Sequence, residues 1–222
     1  MVHMLLAIIY LAFISLGLPD SLLGSAWPSM HQEISLPVSY AGGISMIIAA
    51  STILSSLQCD RLTRKIDTGR VTTISVFLTA ATLFGFSVSH SHMGLCLWAV
   101  PYGLGAGCVD ASLNNYVALH YASRHMSWLH CMWGVGASIG PYIMGAALSD
   151  GRGWNMGYRS IALIGVQMAA SYAGTCIMPP VFGLFANHIG AYLFPWYLLL
   201  VLALMILMHE KLLHKTKDII KT

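Results

Sequence analysis

An all-α polytopic membrane protein is the fold class this sequence predicts, on three observations. Of its 222 residues, 57% are hydrophobic and only 9% charged, whereas soluble domains carry about 25% charged residues. The mean hydropathy is correspondingly high, at +0.71. The apolar residues gather into runs at 4–26, 38–58, 71–89, 93–118, 127–149, 160–186 and 190–208, about 7 membrane segments in total. Each is near the roughly 20 residues a helix needs to cross the hydrocarbon. Because the runs are continuous and do not alternate, strands are not expected; an open sheet in lipid would also leave backbone groups unpaired.

The first run lacks a basic leader and a small-residue cleavage site, so it reads as a retained helix. Within it, "GLPDSLLGSAWP" places one acid, Asp20, in an otherwise apolar stretch; Phe13, Gly17, Gly24 and Trp27 recur around it at steps of three or four and share its face. The second run closes on "QCDRLTRKIDTGR", a basic break before the third, and "SHSH" closes the third. The fourth run holds the second intramembrane acid, Asp110, on a face with Gly103, Gly107 and Asn114, and with Asn115 beside it. The fifth follows "HYASRH" and reads "HCMWGVGASIGPYIMG"; Gly136, Gly140, Pro141 and Gly145 form a repeat that favours close helix packing and a bend. The sixth follows "SDGRGWNMGYRS" and is expected to break at Pro179–Pro180, and the seventh leads into "HEKLLHKTKDIIK". That amphipathic basic tail is expected to lie on the anionic cytoplasmic surface.

Charge placement orients the helices. Arg61, Arg64, Lys65, Arg70 and Arg124 fall in breaks on one side, which predicts a cytoplasmic amino-terminus by the positive-inside rule. The tail lysines conflict with this, because seven crossings would put them on the far side. The formal charge of +3 is too small to suggest nucleic acid. Cys59, Cys96, Cys108, Cys131 and Cys176 stand singly, without the spacing of a disulfide framework or zinc site. His120, His125 and His130 are five apart and do not share a helical face, so no metal and no cofactor is expected. Trp27, Trp128, Trp133, Trp154 and Trp196 lie near span ends, as an interfacial belt would place them; Trp27 or Trp133 is alternatively a ring that stacks on a sugar.

A carboxylate at mid-bilayer costs roughly 2.5–3.5 kcal/mol on insertion scales, and such residues usually face a bundle interior or a wet path. Two readings of Asp20 and Asp110 stand side by side. Either they are hydrogen-bonded packing residues, or they line a central cavity and exchange protons as its access changes sides.

The loop "DRLTRKIDTGR", with Asp60-Arg61 and Gly69-Arg70, resembles the signature loop between helices two and three of the major facilitator superfamily. Gly140-Pro141 resembles that family's glycine-proline element of helix five. "GLPDSLLGSAWP" and "GLGAGCVDASLNN" resemble helices one and four of its fucose-permease-like branch. The resemblance implies an MFS-type six-helix amino-terminal half over 1–160, comprising helices one to five and the start of six. It assigns Asp20, Asp110, Asn114 and Asn115 to a central cavity for a small polar solute and protons, and Asp60, Arg61, Gly69 and Arg70 to a gating loop. "QMAASYAGTCIMPPVFGLFANHIG" and "YLFPWYLLLVLALMILMHEKLLHK" resemble the family's last two helices. Residues 161–210 then read as a remnant of an incomplete carboxy-terminal half, left by an internal deletion, and 211–222 as a basic cytoplasmic tail.

The function expected is secondary, proton-coupled transport of a small polar solute such as a sugar across the inner membrane. In a shortened chain, either transport is lost or a homodimer supplies both halves. The rival is a non-transporting interaction or scaffold protein. An enzyme is not expected, since no catalytic triad or metal motif stands out.

Overall fold

The computed structural model describes residues 2–189 and 194–220. Residues 190–193, at the head of the last expected span, lie outside the described residues, as do the tail's basic side chains beyond Lys211. Eight helices follow one another: α1 (Val2–Asp20), α2 (Leu22–Glu33), α3 (Tyr40–Ile66), α4 (Thr68–Val88), α5 (His92–His120), α6 (Arg124–Ser149), α7 (Gly153–Ile189) and α8 (Phe194–Ile220). Among the described residues, six stretches are long and apolar enough to cross a membrane, with α1 and α2 together forming the first, Leu5–Glu33. The described part of the expected seventh segment is a shorter apolar helix, Pro195–Met208.

Three elements differ from the sequence reading. The first span is interrupted at Ser21, two residues after Pro19, and then continues to Glu33 instead of stopping near 26. Pro19 has no N–H to donate and its ring crowds the preceding turn, which is why the helix gives way there. The basic break after α3 is almost wholly helical: α3 runs through Asp60 and Arg61 to Ile66, and Asp67 alone turns the chain into α4. Asp67 sits at φ 79°, and its carboxylate accepts the N–H of Gly69 at 3.2 Å, capping the new helix. The break expected at Pro179–Pro180 does not occur, and α7 continues to Ile189; prolines are tolerated in membrane helices where the freed backbone groups find other partners.

Glycine decides how the helices meet. A Cβ on Gly136 would strike the backbone of Ile14, one on Gly140 that of Leu18, and one on Gly17 the carbonyl of Trp133. So α1 and α6 pack backbone to backbone. The glycines of α5 work in the same way: Gly103 and Gly107 rest on Ile48 and Thr52 of α3, and Gly105 on Ser75 and Thr79 of α4. Along α3 a file of small polar side chains reaches the carbonyls these glycines bring near. Thr52 Oγ1 donates to Gly103 O at 3.3 Å, Ser55 Oγ to Leu104 O, Ser56 Oγ to Gly107 O at 3.2 Å, and Cys59 Sγ to Cys108 O at 3.4 Å. Gly24 and Gly145 face open space, so neither belongs to a seam.

The chain divides into two compact units, Met1–Ala173 and Gly174–Thr222. In the first, one buried cluster gathers Leu22, Trp27 and Met30 of α2 with Leu95 and Tyr102 of α5, Met144 of α6 and Trp154 and Tyr158 of α7. Trp27 and Trp154 are therefore core residues, 4% and 1% exposed, and do not form an interfacial belt; Trp128 and Trp196 are exposed at 55% and 69%. In the second unit, Tyr197 Oη donates to Met178 O at 3.2 Å, and its ring lies 5.3 Å from that of Phe182.

Candidate functional site

Two hollows lie inside the first unit, each bordered by α1, α3, α5 and α6. The larger has a volume of about 370 Å³, and its walls include Asp20, Thr52, Tyr102, Asp110, His130 and Trp133. The second, of about 330 Å³, shares Asp20, Tyr102 and Trp133 and adds Ser45 and Tyr158. The two intramembrane acids thus border one hollow, although they come from different helices.

Their hydrogen bonding is unequal. Asp20 Oδ1 accepts the hydroxyl of Tyr102 at 2.9 Å, and its Oδ2 accepts the indole N–H of Trp133 at 2.8 Å. One carboxylate thereby ties α1 to both α5 and α6, and it is reached from both hollows. Its place at the broken end of α1 explains this reach, because Pro19 and Ser21 end the regular helix beside it. Asp110 receives a single bond, from Asn114 Nδ2 one turn along α5, at 3.0 Å to Oδ1. His130 of α6 joins the same wall, with its ring stacked on Phe13 at 6.5 Å and 17°.

Asn114 is half-buried; its Oδ1 is buried without a hydrogen-bond partner among the described residues. Asn115 is exposed and borders neither hollow, since one residue turns a helix by about 100°. Trp27 also lies outside both: its N–H is spent on Val38 O at 2.9 Å, which secures α2 to the α3 approach. Trp133, 40% exposed, is the tryptophan that borders both hollows.

At the α3–α4 corner, Asp60 pairs loosely with Arg64 at 4.0 Å, both side chains well exposed. Arg61 and Arg70 are exposed, and Gly69 lies in the first turn of α4 under the Asp67 cap. Gly136 and Gly140 sit in the α1 seam, with Pro141 following inside α6 and Gly145 facing away.

Tyr102 and Tyr158 go unmarked in the sequence, and Trp133 is read there as a belt residue or a ring that stacks on a sugar. Tyr102 and Trp133 become donors to Asp20 only when three helices converge. Tyr158, on α7, is 2% exposed, borders the second hollow, and its hydroxyl has no hydrogen-bond partner among the described residues. Tyr102 and Asp110 are eight apart, about 80° round the helix, so spacing along α5 does not single Tyr102 out.

A protein-family model described as Major Facilitator Superfamily matches residues 9–166. The chain belongs to that superfamily. The match covers α2 to α6 whole, with most of α1 and the start of α7, and so contains every wall of both hollows. No curated protein matches the chain. Membership makes it a membrane transport protein, in a family of transporters and not of enzymes.

Proposed function

We propose that the chain is a secondary carrier half that moves a small polar solute, for which the family resemblance suggests a sugar, together with protons. The observation that supports this most is the double hydrogen bond to Asp20 from α5 and α6. As a carboxylate, Asp20 accepts from both helices and holds them against α1. A proton arriving on either oxygen turns an acceptor into an O–H donor, and one of the two bonds must weaken. The helices are then free to shift, and release of the proton to the other side restores the tie. Asp110, with one oxygen engaged by Asn114, serves as the second polar wall for solute or proton.

In this reading the amino-terminus and the α3–α4 corner are cytoplasmic, and Asp60, Arg61, Gly69 and Arg70 form a latch toward a second helical half. Alternating access needs two halves rocking about one site. A second copy of the chain supplies the other half, and 161–210 is the remnant of an ancestral one left by internal deletion. A non-transporting scaffold is the rival reading.

Flux in sealed vesicles decides between them. The purified chain is reconstituted, a pH gradient imposed, and labelled sugars and lumenal pH followed. Solute-dependent proton movement is expected, with Asp20→Asn reducing it at least tenfold and Tyr102→Phe reducing it less. Vesicles that stay tight to protons with every solute, or an Asp20→Asn variant with undiminished flux, would sink the carrier.

A further inference from the structure

The family resemblance suggests a sugar for the carrier, but the polar groups around the hollows favour a small polar solute of another kind. Most are already committed. Tyr102 and Trp133 donate to Asp20, whose two oxygens are both engaged, and Thr52 donates to Gly103 O. A polyhydroxylated solute needs several free donors and acceptors converging on it, because a buried unmatched hydroxyl is costly. Few remain: one oxygen of Asp110, the ring of His130 and the hydroxyl of Ser45.

The charges point in one direction. Two carboxyl groups face the larger hollow, and no Lys or Arg is among its walls; His130 is the one side chain there able to carry a positive charge. The basic residues of the whole sequence fall outside 4–58 and 93–118, the stretches that supply most of those walls. In a low-dielectric setting such a hollow attracts cations and repels anions. Trp133 adds open ring surface whose one polar atom is already spent, which suits the face of a cation.

We infer that the paired hollows bind a small organic monocation. Its charged head lies between Asp20, Asp110 and Trp133. The inference rests on the carrier reading for its biological sense, but binding is measured without transport.

Isothermal titration of the full chain in detergent is the test, with choline as probe. Its neutral isostere 3,3-dimethylbutan-1-ol, tetramethylammonium and glucose serve as comparisons. Choline is expected to bind at least tenfold more tightly than the neutral isostere or glucose. Asp110→Asn should lose at least tenfold in choline affinity while Asp110→Glu, which keeps the charge, retains it. Tetramethylammonium, which keeps the charge without the hydroxyl, should bind within a few-fold of choline. The inference is overturned if choline does not bind, if the neutral isostere or glucose binds as well, or if Asp110→Asn matches the parent. Equal binding of the isostere by a chain that still couples flux to protons defeats this inference alone. Selective choline binding without any flux supports it and defeats the carrier alone.

Discussion

The α1–α6 seam and the α3–α5 seam are both built on glycine, yet they are held in different ways. Across α3–α5, Thr52, Ser55, Ser56 and Cys59 all donate to main-chain carbonyls. Those acceptors are fixed by the helix itself, so the register of the pair is set rung by rung. Across α1–α6, the glycine contacts are bare, and the side-chain bonds described between the two helices are Tyr10 Oη with His125 Nδ1 at 2.7 Å and Trp133 with Asp20. Both involve a group that gains or loses a proton. One pair of helices is therefore a frame, and the other a joint whose fastenings are titratable side chains at the cavity and at one end.

The largest effect that would break this comparison is at Gly136. Gly136→Ala puts a methyl group on the Ile14 carbonyl. Overpacking of this kind costs about 1–3 kcal/mol and sometimes more. Denaturation in mixed micelles of increasing dodecyl sulfate should show an early transition for this variant; one indistinguishable from the parent would mean that the helices do not touch there. A smaller effect sharpens the frame. Ser55→Ala removes one rung, and interhelical hydrogen bonds in membranes average roughly 0.6 kcal/mol. The same assay should register that loss, and the Ser55→Ala, Ser56→Ala double variant about twice as much. A ladder that is merely incidental would leave both unchanged. The smallest effect is the control within the motif. Gly145→Ala meets open space, and alanine favours a helix over glycine by up to about 1 kcal/mol, so stability should hold or rise slightly. A loss there would reveal a neighbour that the seam assignment omits.

The helices were legible because lipid imposes a length and a composition, and those are written in consecutive residues. Asp20 and Asp110 were conspicuous for the same reason: a lone acid in an apolar run stands out whatever surrounds it. Trp27 shows where such reading stops. Sequence spacing puts it on the Asp20 face, but beyond the break at Ser21 the helix α2 carries Trp27 into the core, and Trp133, from another helix, borders the hollow instead. The basic stretch after the second run looked like a loop because charge and helix end coincide in most spans. Here α3 continues past the apolar boundary, and a single Asp67 at positive φ makes the turn.

The sequence by itself determined a bundle of membrane-crossing helices, their approximate limits and the family, since each depends on residues close together along the chain. Tertiary structure alone decided which glycine of the Gly136–Gly145 repeat is a contact, which donors satisfy Asp20, and which buried hydroxyl stays unmatched. Those properties arise between helices, where a rotation of one residue, about 100°, moves a side chain from cavity to lipid. Local pattern carries no record of that angle until the neighbouring backbones set it.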